Sequence, residues 1–390
     1  MMIRIFVIIL ITSFLRIEIA CAGELYSLPD DPSKGQEIFI KKGCIQCHSI
    51  RGEGGNIGPD LGRKVFNLSL IQIAGEIWNH CSIMSQKMEE LKIPWPKFEG
   101  NEMAELIAFL YYLNYFDEPG DAAAGKDIFS DKGCIKCHSI GGEGGKVGPS
   151  LDQLSQYASP VFIVQSMWNH CKEMVSRMRE RGVEVPAFRN HEVVDLFAYI
   201  RTAGKSGKVE RVYSSPGNPK NGERLFVSRN CIKCHSVNGE GGSIAPNLAK
   251  VEFQYSLTQI AGIMWNHLSK MWEKMEEMKI PPPVFSGDEM ADVIAYMYSI
   301  HYSGEPGDAA RGKELFSSKG CMRCHAVRGE GGDIGPDLGT SEWVKSPVIT
   351  AQVMWNHAPI MAAKMKETNL PWPKFEGNEM ADLFEYLKTR

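Results

Sequence analysis

Cys44-Ile45-Gln46-Cys47-His48 is the stretch that decides how this chain is read. The same Cys-x-x-Cys-His string returns at Cys134–His138, Cys231–His235 and Cys321–His325, with starts 90, 97 and 90 residues apart. Trp-Asn-His keeps step with it, at Trp78–His80, Trp168–His170, Trp265–His267 and Trp355–His357. Two motifs sharing one phase mean four copies of a single unit. The longer interval has one cause. The stretch from Gly204 to Pro219 is polar and rich in Gly, Pro and Ser, so 204–217 reads as a linker. The other junctions, Glu118-Pro119-Gly120-Asp121 and Glu305-Pro306-Gly307-Asp308, are short and alike. The expected units are 24–116, 117–203, 218–303 and 304–390. The expected arrangement is two halves, each of two neighbouring units, joined by a loose hinge.

Outward from the cysteines the pattern is helical. Residues 34–42 predict a short first helix, and a glycine-rich loop follows the motif at Gly52–Gly58. Leu70, Ala74, Ile77, Trp78, Cys81, Met84, Met88 and Leu91 then step by three or four, one stripe of a long helix. Pro94 and Pro96 stop it. A last helix carries Met103, Leu106, Ile107, Leu110 and Leu113 on one face. No alternating run suggests a strand of useful length, so the expected class is all-α, four tandem helical domains.

Composition narrows the function classes. Of 390 residues, 43% are apolar and 23% charged, which suits a folded chain. A net charge of −4 leaves no footprint for nucleic acid. Past the N-terminus no apolar run reaches 18 residues, so no internal transmembrane helix is expected. Residues 1–22 read as a signal peptide: Arg4, an apolar run from Ile5 to Leu15, then Ala20-Cys21-Ala22 as a small-x-small cleavage site. Cleavage after Ala22 is preferred over a retained anchor. Glu18 speaks against a lipid-modified Cys21. The expected location is periplasmic, and the mature chain carries −5.

Two cysteines followed by a histidine suit covalent haem attachment. The thiols bond the two vinyl groups and the adjacent histidine reaches the iron. A lone copy also fits a redox dithiol or half of a zinc site. Four copies in one repeated context, in an exported chain, favour four covalently bound haem c groups. Unit size agrees, because a domain of about 90 residues has a marginal core and exported domains this small usually need a staple. Apart from Cys21, only Cys81 and Cys171 remain outside the motifs. Units three and four carry Leu268 and Ala358 there, so these cysteines read as small packing residues, with a disulfide as the alternative.

Each unit resembles a class I c-type cytochrome domain, and the resemblance covers nearly the whole mature chain. It rests on Gly35/Phe39 before the motif, repeated as Gly125/Phe129, Gly222/Phe226 and Gly312/Phe316. It rests also on Gly58-Pro59-Asp60-Leu61, Gly148-Pro149-Ser150-Leu151 and Gly335-Pro336-Asp337-Leu338, from which the third unit departs as Ala245-Pro246-Asn247-Leu248. The closing helices, such as Asp195–Ile200, are similar as well. The resemblance implies haem on Cys44, Cys47, Cys134, Cys137, Cys231, Cys234, Cys321 and Cys324. It implies iron on His48, His138, His235 and His325, with the carbonyls of Pro59, Pro149, Pro246 and Pro336 accepting their ring N–H.

The sixth ligand is read from the long helix. The family draws a methionine from the segment before the last helix, and Met88, Met178, Met275 and Met365 lie nearest to it. Met84, Met174, Met271 and Met361 are alternatives, as are His80, His170, His267 and His357. Spacing of four puts all three sets on one face. The histidines are otherwise expected on haem propionates, and the preceding tryptophans against the macrocycle with the indole N–H on a propionate or carbonyl. The implied function is electron carriage between a redox donor and an acceptor, not catalysis. The rivals are a multihaem peroxidase or oxyanion reductase with one open iron, and a subunit of a membrane-bound respiratory complex. Charges of −3, −2, +1 and −1 over 24–116, 117–203, 204–303 and 304–390 are too small to name a partner by steering.

Overall fold

A computed structural model describes residues 32–388, apart from 64–67, 114–119, 153, 155–158, 190, 203–216, 252–254, 302–303, 341–343 and 345. The expected signal peptide and nearly all of the expected linker lie outside the described residues. Each unit is three α-helices with one two-residue antiparallel ribbon between the first and second. Unit one comprises α1 (Pro32–Lys41), β1 (Ser49–Ile50), β2 (Glu53–Gly54), α2 (Leu70–Glu90) and α3 (Glu102–Tyr112). Unit two comprises α4 (Ala122–Asp131), β3 (Ser139–Ile140), β4 (Glu143–Gly144), α5 (Pro160–Glu180) and α6 (Glu192–Thr202). Unit three has α7 (Pro219–Ser228), β5 (Ser236–Val237), β6 (Glu240–Gly241), α8 (Leu257–Glu277) and α9 (Glu289–Ser299). Unit four has α10 (Ala309–Ser318), β7 (Ala326–Val327), β8 (Glu330–Gly331), α11 (Pro347–Glu367) and α12 (Glu379–Lys388).

The first and last helices of each unit cross at the glycine that sequence singled out. A Cβ on Gly35, Gly125, Gly222 or Gly312 would stand within about 2 Å of the backbone oxygen of Glu105, Asp195, Asp292 or Asp382. Only glycine permits that approach. One turn on, aromatic rings pack across the crossing, Phe39 on Phe109, Phe129 on Tyr199, Phe226 on Tyr296 and Phe316 on Tyr386, with centroids 5.5–5.9 Å apart. Three crossings are tied again at the helix start. The backbone N–H groups of Asp121, Asn218 and Asp308 donate to the carboxylates of Asp195, Asp292 and Asp382 at 2.8, 2.6 and 2.8 Å.

The long helix starts on a serine cap in every unit: Ser69, Ser159, Ser256 and Ser346 accept backbone N–H groups of the first turn. It ends by a Schellman turn. Ile93 N–H donates to Met88 O at 2.8 Å, and Lys92 has φ +56°; Val183, Ile280 and Leu370 bond Met178, Met275 and Met365 in the same way. The prolines beyond therefore do not themselves end the helix. Each ribbon joins the residues just after the histidine to the start of the glycine-rich loop; in unit one Arg51 (φ +52°) and Gly52 (φ +85°) supply the tight two-residue turn.

The units pair differently from the expected halves. Unit one packs on unit four, and unit two on unit three, through reciprocal contacts. The Trp78 indole N–H donates to Pro373 O at 2.9 Å, and that of Trp355 to Pro96 O at 2.7 Å. Asn79 Nδ2 donates to Phe375 O at 2.7 Å while its Oδ1 accepts Phe375 N–H at 2.8 Å; Asn356 does the same with Phe98 at 2.8 and 2.9 Å. Trp168, Asn169, Trp265 and Asn266 repeat the scheme against Pro283, Phe285, Pro186 and Phe188. Two stacked indole pairs belong to the first interface, Trp78 on Trp372 at 4.3 Å and Trp95 on Trp355 at 4.4 Å. Each adds about 0.5–1.5 kcal/mol beyond burial. Units two and three have Val185 and Pro282 in the places of Trp95 and Trp372. The chain thus folds back on itself, outer unit on outer and inner on inner. Tyr111 of unit one donates to Tyr298 O of unit three at 3.1 Å, joining one pair to the other.

Candidate haem sites

The local fold builds each Cys-x-x-Cys-His site in the same steps. A residue with positive φ precedes the first cysteine: Gly43, Gly133, Asn230 or Gly320, at 81, 77, 65 and 83°. The chain then enters a single 3-10 turn, and the histidine N–H returns to the first cysteine's carbonyl at 2.9–3.0 Å. Both cysteines and the histidine of one unit are thereby set on one short loop. All eight motif cysteines are free and partly exposed. Burial pushes the thiols of Cys44, Cys134, Cys231 and Cys321 up to about 11. They are therefore neutral thiols at pH 7 unless bonded.

The four histidines are oriented as the resemblance implied. Nδ1 of His48, His138, His235 and His325 lies 3.1, 2.9, 3.1 and 3.0 Å from the carbonyl oxygens of Pro59, Pro149, Pro246 and Pro336. That bond places the proton on Nδ1 and turns Nε2 outward as a ligand atom. Glycine holds the other side. A Cβ on Gly58, Gly148 or Gly335 would fall 2.3–2.4 Å from the ring carbon Cε1. Beside each site stands an exposed aliphatic residue, Ile57, Val147, Ile244 or Ile334, 41–56% exposed. A ring held at Nδ1, two free thiols and an apolar neighbour form a donor set and a surface that fit a covalently held macrocycle.

A cation anchors the loop to the closing helix. Lys42 Nζ reaches Lys97 O at 2.7 Å and Glu102 at 2.6 Å, over the Phe98 ring. Lys132 and Lys319 do likewise with Glu192 and Glu379. Unit three uses Arg229, whose Nη2 donates to both carboxylate oxygens of Glu289 at 2.7 and 2.8 Å. Burial alone would raise these carboxyl groups; the cation beside each and a backbone N–H donor together outweigh it and hold them below their usual range.

The sixth-ligand candidates divide by packing. Met84, Met174, Met271 and Met361 are partly buried against the main apolar cluster. Met88, Met178, Met275 and Met365 stand outside that cluster among the described residues, although Met178 is buried. The Trp-Asn-His histidines turn Nδ1 to the carbonyl four residues back. His80, His170, His267 and His357 meet Glu76, Ser166, Ile263 and Val353 at 2.6–2.9 Å. The preceding tryptophans donate their indole N–H to carbonyls, one of the two expected acceptors, and those carbonyls belong to the paired unit. The asparagines between them escaped the sequence reading altogether. Their presence in all four copies was the available signal. Cys81 and Cys171 are free and buried, with thiols pushed up to about 12 by burial, and they form no disulfide.

Each Cys pair would hold one haem by bonding its two sulfurs to the vinyl groups. Intact mass of the purified protein is expected to exceed its polypeptide by four haem masses, and Cys44→Ala/Cys47→Ala to remove one of them. A surplus of two haems or fewer from a host competent in cytochrome maturation contradicts the count. No helix among the described residues is long and apolar enough to cross a membrane. A search among curated proteins finds no match to the chain. The family model for cytochrome c matches four times in tandem, at residues 32–114, 122–204, 219–301 and 309–390. With that coverage, and with a thiol pair and an oriented histidine in every unit, the chain belongs to the cytochrome c family and is a haem c redox protein of four helical domains.

Proposed function

We propose that the chain is a tetrahaem electron carrier of the bacterial cell envelope, taking electrons from one redox protein and passing them to another. The observation that carries this reading is the sameness of the four sites. Every unit presents the same proximal histidine, tied to a proline carbonyl, and the same histidine and methionines on the long helix. No unit is built with a ligand face of its own, as an enzyme with one specialised open iron requires. Haem supplies the one-electron chemistry when bound. The protein's share is to fix each histidine's tautomer, to exclude water with the apolar neighbours, and to hold four sites in one rigid chain.

We propose that His48, His138, His235 and His325, together with Met88, Met178, Met275 and Met365, would be the residues that hold the irons. The earlier methionines are engaged in core packing, which supports the later set, and methionine opposite histidine raises the potential. One observation favours a second reading. Nδ1 of His80 and its counterparts is tied to a backbone carbonyl, which leaves Nε2 as a ligand atom.

The reduced protein is expected to bind no carbon monoxide, and the oxidised protein to show the near-infrared band of methionine–iron ligation. Met88→Ala should remove about a quarter of that band, one site in four, and Met84→Ala should leave it. An absent band, together with a high-spin haem in His80→Ala, assigns the ligand to the histidines. Stoichiometric carbon monoxide binding by one haem defeats the carrier reading.

A further inference from the structure

Each motif loop reaches the long helix of another unit through hydrogen bonds. That helix faces a motif loop in its own unit: His267 lies within electrostatic reach of His235, and Lys364, on α11, within reach of Cys324. The asparagine just before the Trp-Asn-His histidine is the residue that clasps the paired unit. In unit one, Lys42 stands two residues ahead of Cys44, and its Nζ donates to Lys97 O at 2.7 Å. The next residue, Phe98, donates its N–H to Asn356 Oδ1 of unit four at 2.9 Å, and His357 follows Asn356. The return bridge is built alike. Lys319 donates to Lys374 O at 2.6 Å, and Phe375 N–H to Asn79 Oδ1 at 2.8 Å, beside His80.

Units two and three are bridged in the same two directions. Lys132 donates to Ala187 O at 2.7 Å, and Phe188 N–H to Asn266 Oδ1 at 2.9 Å, beside His267. The return bridge has one link more. Arg229 donates to Glu289 Oε2 at 2.8 Å, and the same oxygen accepts Ser286 N–H at 2.9 Å. The preceding residue, Phe285, donates its N–H to Asn169 Oδ1 at 3.0 Å, beside His170. Between the pairs, units one and three meet where Tyr111 O–H donates to Tyr298 O at 3.1 Å, with ring centroids 6.4 Å apart. Units one and two, and three and four, are joined by the chain and by no motif-to-histidine bridge among the described residues.

We propose that these bridges carry electrons between paired units, so that the transfer row runs two–three–one–four and not in chain order. In each step one electron leaves a ferrous iron, which becomes ferric, and reduces the ferric iron of the next unit in the row. Tunnelling decays less along covalent and hydrogen bonds than across gaps, so exchange is fastest within the bridged pairs. The tyrosine contact carries the slower exchange between units one and three, and units two and four form the ends of the row. Lys42, Lys132, Arg229 and Lys319, with the four asparagines, are positioning residues for this transfer. The inference deepens the carrier reading, on which it rests, by giving the order in which the four sites pass an electron.

The test is haem-methyl magnetic resonance on the fully loaded chain during stepwise reduction. A nitroxide on Asn56→Cys, Lys146→Cys, Ser243→Cys or Asp333→Cys broadens the methyl set of its own unit first and so assigns the four. All four positions are exposed, each just ahead of the aliphatic neighbour of its site. Reducing one haem adds negative charge and lowers the potential of the others, most at short range. The largest mutual shifts should link one with four and two with three, with one and three next. Mutual shifts that are largest between one and two, or between three and four, overturn the order. Lys42→Met with Lys319→Met cuts both bridges of the first pair and keeps its asparagine contacts. Exchange between haems one and four should slow severalfold, while their mutual shift and the exchange between two and three stay as in the native chain. Lys42→Arg with Lys319→Arg should keep native exchange, because unit three is built with arginine. Native exchange in the methionine variant overturns the role of the bridges. Carbon monoxide binding by one haem would defeat the carrier reading and leave the order standing, whereas mutual shifts in chain order would defeat the order and leave the carrier reading standing.

Discussion

A chain cut between residues 204 and 217 should remain a single particle holding all four haems. Size-exclusion chromatography with light scattering on protein carrying a protease site in that stretch is the measurement. Connectivity would let the halves part, but packing opposes it. Unit one is bonded to unit four and unit two to unit three, so both interfaces join the N-terminal half to the C-terminal half. Each asparagine amide at those interfaces satisfies both the N–H and the C=O of a phenylalanine in the opposite unit. Leaving one such buried backbone group unpaired costs about 1–3 kcal/mol. Asn79→Ala and Asn356→Ala together, with the stacked Trp95 and Trp372 replaced by alanine, should loosen units one and four first. Fragments 24–204 and 218–390 made separately should self-associate, and should form one stable particle when mixed. Clean separation of the cut protein into two folded halves without denaturant would refute this pairing.

That pairing shows what the sequence made legible and what it did not. Gly35, Phe39 and their counterparts are the helix crossing, and the Cys-x-x-Cys-His spacing with its downstream proline carries the whole histidine geometry. Both are local: the partners lie in one unit, and the same residues recur in the other three. The choice of partner unit is not local. Junction length suggested neighbours, because a long polar segment resembles a hinge, yet chain proximity says nothing about which surfaces are complementary. The usable signal was side-chain identity. Pro94-Trp95-Pro96 and Pro371-Trp372-Pro373 occur in units one and four alone, and each tryptophan finds its stacking partner in the other unit. The methionines show a different limit. Residues four apart share a helix face whatever their roles, so periodicity identified that face without ranking Met84 against Met88.

The helix crossing sets the second large effect. Gly222→Val should abolish the folded third unit, and Gly222→Ala should weaken it by about 1–3 kcal/mol net, the usual range for overpacking. The obstacle is backbone. An added Cβ would fall 1.9 Å from Asp292 O and 2.7 Å from Tyr296 Cβ, and neither atom is the end of a side chain that can swing away. Opening the crossing also pulls Asn218 N–H from the Asp292 carboxylate and separates Phe226 from Tyr296. Alanine recovers about 1 kcal/mol of helix propensity over glycine, which offsets part of the strain and none of the lost contacts. Gly75→Ala is the matched control. It too sits in a helix against another element, but its Cβ would meet Met380 Cβ no closer than 3.3 Å, a contact that a shift of a few tenths of an ångström relieves. Thermal unfolding followed by helix dichroism and by the visible haem bands separates the two. Gly75→Ala should melt close to the native protein. Gly222→Ala should melt earlier, with the loss confined to one haem of four. If both variants melt together with the native chain, the crossing has room to spare, and the glycine serves something other than the close approach of α7 to α9.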